Sequence, residues 1–99
     1  MTDNERLEIL KADLQLLSTA QDPYLRHLLA VAGGMIETEG IKLTDSVSDE
    51  HLKIMYAAYL YRKRAESQNN SYQQAMPRML RWALNNRLFR QKGRAKDAT

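Results

Sequence analysis

The chain has 99 residues, 43% hydrophobic and 27% charged, a composition that suits one soluble globular domain and is too apolar for a disordered chain. It contains no cysteine, which excludes disulfides, thiolate metal sites and cysteine nucleophiles. Its net charge of +3 is split: residues 1–50 carry ten acids and four bases (−6), residues 51–99 eleven bases and two acids (+9).

Leu7, Leu10, Leu14 and Leu17 recur at helical spacing and predict a core-facing stripe on a helix over residues 3–18. Asp3 and Glu5 sit at its positive N-terminal end. Asp22-Pro23 then signals a second helix, with Asp22 free to cap it and Pro23 losing no hydrogen bond in the first turn. Leu25, Leu28, Leu29, Ala32 and Ile36 share one face of this helix, which is expected to run to about Glu39 and stop at Gly40. The pair Gly33-Gly34 within it points to close packing or a bend.

Residues 40–48 read as a connector, after which Ser48 or Asp49 caps a third helix. The run Ile54-Met55-Tyr56-Ala57-Ala58-Tyr59-Leu60-Tyr61 is apolar or aromatic all round, so this helix is expected to be the buried central element. It is expected to close on Arg62-Lys63-Arg64, cations at the negative end of the dipole. The polar stretch 65–75 predicts a mobile loop. Met76-Pro77 opens a basic fourth helix to about Phe89, and residues 91–99 read as a flexible basic tail. The fold class is therefore all-α: a small bundle of about four helices in a single domain spanning 1–99.

Catalytic chemistry is poorly served. His27 and His51 have no companion at metal-ligand spacing, and no phosphate loop or nucleophile elbow is present. The carboxylate clusters Asp49-Glu50 and Glu37-x-Glu39 are expected to serve helix dipoles and caps. The expectation is a non-enzyme without metal or cofactor. No apolar run approaches the ~18–20 residues of a membrane span. The polar start Met1–Glu5 is unlike a signal peptide, so an intracellular or virion-type domain is expected.

The fourth helix carries the functional signal. At ~100° per residue, Trp82 and Phe89 fall beside Arg78 and opposite Leu80 and Leu84. Asn85 lies next to them and Arg81 at the edge between the two faces. Aromatics flanked by arginines on an outer face suit docking to a protein or to nucleic-acid phosphate, unless the first helix or the 65–75 segment covers them. Arg87 falls within the apolar arc, where its guanidinium either finds an acid of the N-terminal half or snorkels past the helix edge.

Two stretches carry a family resemblance. Tyr56-Ala57-Ala58-Tyr59-Leu60-Tyr61-Arg62-Lys63-Arg64 is followed by Met76-Pro77-Arg78-Met79-Leu80-Arg81-Trp82-Ala83-Leu84-Asn85-Asn86-Arg87-Leu88-Phe89. With Leu10-Lys11-Ala12-Asp13-Leu14, Asp22-Pro23-Tyr24-Leu25 and Ile36-x-x-x-Gly40-Ile41, the chain over about residues 7–92 resembles the small head–tail connector proteins of long-tailed bacteriophages. The resemblance implies an all-α virion protein, made in the host cytoplasm, that assembles as a homo-oligomeric ring beneath the portal protein. Such a ring extends the channel for packaged DNA, touches that DNA non-specifically, and receives the next head-completion or tail component. The 65–75 stretch is short, so no DNA-gating role is carried over to it. The rival reading is a small helical DNA-binding protein such as a prophage regulator, favoured by a pI near 9.3 but lacking tight helix-turn-helix spacing.

Overall fold

A capping box starts the first helix. Thr2 Oγ1 accepts from the Glu5 backbone N–H at 3.1 Å while the Glu5 carboxylate accepts from the Thr2 N–H, so two otherwise orphan donors are satisfied. The structure is a computed structural model that describes the backbone of residues 1–69 and 76–97 and the side chains of 1–64 and 76–93. Helix α1 spans Asp3–Leu14, four residues short of the expected end. Gln15 adopts the left-handed conformation (φ 59°), its N–H reaches the Ala12 carbonyl, and Leu16 N–H reaches that of Lys11. This is a Schellman-type stop, and it turns Leu16 rather than Leu17 against the core; Leu17 is 98% exposed.

Helix α2 spans Asp22–Thr38, with Pro23 in its first turn as expected. Asp22 does not cap it. Lys11 Nζ, nearly buried at the α1–α2 contact, lies 3.0 Å from Asp22 Oδ1, and an interior ammonium needs that carboxylate more than the helix end does. The helix passes through Gly33-Gly34 without a break; Gly33 lies near the stem of Lys53 from α3, where a Cβ would make only ordinary contact at 3.7 Å, and nothing lies within 4 Å of one at Gly34. Gly40 stops it with φ +98°, a conformation that only glycine adopts readily.

Helix α3 spans Val47–Asn69 and packs against α1, α2 and α4, so it is the central element. Its cap is Ser46, whose Oγ accepts from the Asp49 N–H at 3.2 Å, rather than Ser48 or Asp49. Leu52, Ile54, Tyr56, Ala57 and Ala58 are buried along it. The helix does not end at Arg62-Lys63-Arg64: residues 65–69 contain no glycine or proline and continue the turns. The expected loop is thus shortened, and its remainder, residues 70–75, lies outside the described residues.

Helix α4 spans Arg78–Asp97, starting two residues later than expected with the Pro77 carbonyl accepting from Arg81 N–H. Residues 91–97, expected as a tail, continue the helix: Gln91, Lys92, Arg94, Ala95 and Lys96 are good helix formers and outweigh Gly93, which costs ~1 kcal/mol in propensity. Only residues 98–99 of the expected tail lie outside the described chain. Leu80 and Leu84 are buried against α3, with Ala83 and Leu88 packed beside them. Among the described residues the fold is all-α, with no strand and no helix long and apolar enough to cross a membrane.

Candidate functional site

Helical geometry decides which α4 side chains reach the surface together. Leu80 and Leu84 face α3, and the opposite side presents Arg78, Trp82, Asn85 and Phe89, all exposed as the spacing predicts. Trp82 is 67% exposed and Phe89 76%. Helix α1 does not cover them; it packs on α2 and α3 instead. Met79, which the sequence reading passed over, is 74% exposed beside them. Its signal was available, because it lies ~60° around the helix from Trp82 on the side away from Leu84.

Two shallow grooves flank this face. One, of about 160 Å³ between α3 and α4, runs past His51, Met55, Trp82, Asn86 and Arg90. The other, of about 230 Å³, is lined by Asp13, Met55, Tyr59, Arg62 and Met79, where the end of α1 approaches the start of α4. Met55 lines both grooves, with Trp82 at the edge of the first and Met79 at the edge of the second.

Two of the six candidate residues leave the face. Arg81 turns to Glu39 at the end of α2, donating through NH1 at 2.7 Å and NH2 at 3.5 Å. That hydrogen bond holds the Arg81 pKa above its ordinary value. Arg87 does not snorkel. Its Nε donates to Asp49 Oδ1 at 2.7 Å, and its NH2 donates to Asp49 Oδ2 at 3.1 Å and to the Lys42 carbonyl at 2.7 Å. Both arginines are positioning residues that fix α4 on the bundle.

Asp49 is 2% exposed, and burial alone would raise its pKa. The hydrogen bond from Arg87, and those from the Thr44 N–H and hydroxyl at 2.8 Å each, outweigh burial and hold the carboxyl at about 2. Gln91, one turn beyond Arg87, completes the clamp: its Nε2 donates to the Gly40 carbonyl at 2.8 Å and its Oε1 accepts from Lys42 N–H at 2.7 Å. Arg87 and Gln91 therefore tie α4 to the 40–46 connector by polar bonds that add to the packing of Leu88 beside Gly40.

Asp49-Glu50 is more than a dipole or capping pair. Glu50, also 2% exposed, receives the Arg6 guanidinium of α1, which lowers its pKa against the opposing effect of burial. Sequence reasoning missed both roles, since adjacent acids in a first turn are usually solvated. The usable signal was their position at the head of the one helix expected to be buried.

These contacts also account for part of the charge split. Arg62 with Asp13, Arg81 with Glu39 and Arg87 with Asp49 each join the basic half to the acidic half inside one molecule. His27 and His51 are exposed, and no group of three metal-ligating side chains occurs among the described residues. Chemically, the exposed side of α4 combines large apolar side chains with the cation of Arg78. Compared with models of protein families, with curated proteins and with solved structures, the chain matches none.

Proposed function

We propose that this protein is a structural adaptor of a phage or prophage particle, assembling as a ring beneath the portal and joining head to tail. The observation that carries the reading is the outer face of α4, where Met79, Trp82 and Phe89 stand in solvent beside Arg78. Large apolar side chains exposed together on one helix face suit an interaction surface, and Trp, Phe, Met and Arg are the residue types that interfaces favour. The face belongs to the 76–89 stretch, one of those that carry the resemblance to head–tail connectors. A regulator reading weakens, because Arg81 and Arg87 bond to Glu39 and Asp49 and are not presented to phosphate.

The test is capture by the portal protein of a matching phage, together with complementation of a connector-defective phage. Trp82→Ala/Phe89→Ala is expected to fold normally and to lose both activities. Sequence-specific duplex binding that survives competitor DNA at physiological salt would replace the adaptor with the regulator, because an adaptor contacts DNA only through salt-sensitive phosphate neutralisation.

A further inference from the structure

The internal ion pairs leave each of two helices with an outer face of one sign. On α1 both bases turn inward, Arg6 to Glu50 and Lys11 to Asp22. What remains outside is acidic: Glu5, Glu8, Ile9 and Ala12 are exposed together on the side opposite Leu7 and Leu10. On α4 the reverse holds. Arg81 is paired with Glu39 at the helix edge and Arg87 turns inward to Asp49, while Arg78 and Lys92 remain outside, flanking Trp82 and Phe89. No acid occurs in the sequence between Glu66 and Asp97 to offset them.

We infer that the outer face of α4 receives the outer face of α1 from a second copy of this chain. The two faces match in kind, each an apolar centre with charged flanks, and oppose in sign, which favours their contact and disfavours like faces meeting. They cannot meet within one molecule, because each lies on the side of its helix turned away from the shared core. A contact between two different patches is heterologous, so it propagates from copy to copy and closes when the rotation permits, which is the geometry that a ring requires. The inference rests on the adaptor reading in taking α4 as a docking surface, and it names the partner of that surface.

Sedimentation velocity of the purified protein, at several concentrations and two salt levels, tests it. The wild type should associate with rising concentration, more strongly at low salt. Glu5→Lys/Glu8→Lys and Arg78→Glu/Lys92→Glu should each weaken association by on the order of tenfold or more. All four changes in one chain keep the net charge of the wild type and should restore association; Trp82→Ala added to that chain should remove it again. Because Glu5 takes part in the α1 capping box, circular-dichroism melts check each fold, and Glu8→Lys alone serves as a second acidic-face variant. A wild type that stays monomeric throughout, reversals without effect, or no recovery in the fourfold variant would overturn the inference. Portal capture with the same variants separates the two readings. Monomeric protein that still binds portal through Trp82 sinks the self-contact alone, and self-association without portal capture sinks the adaptor alone.

Discussion

Asp49, in the first turn of α3, accepts two hydrogen bonds from Arg87 of α4, at 2.7 and 3.1 Å, across 38 residues of chain. The carboxylate is almost fully buried and the guanidinium largely so. Removing one partner would leave the other as an uncompensated interior charge. Arg87→Met or Asp49→Leu alone should therefore lower unfolding free energy by about 3 kcal/mol in urea titration. The double variant should lose clearly less than the two singles summed, because neither charge is then stranded. Full additivity would mean that the pair is not coupled.

The same carboxylate sets an acid limit. Its folded pKa of about 2 lies below its ordinary 3.8, so ionised Asp49 stabilises the fold above the unfolded value, and that contribution is lost as pH falls through 3.8 toward 2. Glu50, lowered by Arg6, acts in the same direction. Melting temperature should fall steeply between about pH 5 and pH 2, with about 2 kcal/mol attached to Asp49. In Asp49→Asn the starting stability should be lower and the slope shallower. An unchanged slope would assign the acid sensitivity to other carboxylates.

The two sides of α4 should respond differently to substitution. Leu84 is buried against α3, so Leu84→Ala should destabilise by ~2–5 kcal/mol. Arg78→Glu, on the exposed side, should stay within ~0.5 kcal/mol. Arg81→Glu is not equivalent: it sets a second carboxylate against Glu39 and should cost about 1 kcal/mol. Thermal melts of the three variants rank them, and Arg81→Glu melting with Arg78→Glu would remove any structural weight from the Glu39 contact.

Trp82 is the sole tryptophan, so its fluorescence reports on the α4 face directly. In the dilute protein its emission should be that of a solvated indole and readily quenched by acrylamide. Docking of any partner on the face should shift the emission to shorter wavelength and protect it. Emission already blue-shifted and shielded in dilute monomer would show that the chain covers its own aromatic face.

Much of this molecule was legible in its sequence because local rules sufficed. The 3.6-residue spacing of leucines marked α2 and α4, the all-round apolar run from Ile54 to Tyr61 marked α3 as the buried element, and Gly40 marked a stop. The solvent side of α4 followed from angle alone, since Trp82 and Phe89 lie opposite Leu80 and Leu84 whatever the rest of the fold does. Helix ends were less legible, because they turn on single residues. Gln15 adopts a left-handed conformation that its type does not announce, residues 65–69 are polar yet hold no glycine or proline, and α4 runs on through Gly93, a residue that usually weakens a helix.

What only the tertiary structure decided is which charges answer one another. Arg78, Arg81 and Arg87 are the same residue on one helix, and periodicity assigns each a direction but not a partner. Their fates were set by which acids the packing of α2 and α3 brought within reach: Glu39 at the end of α2 for Arg81, and Asp49 at the head of α3 for Arg87. Hydrophobic burial depends on a residue's own face and can be read from spacing. An ion pair depends on two distant positions meeting within about 3 Å, and that coincidence exists only once the chain has folded.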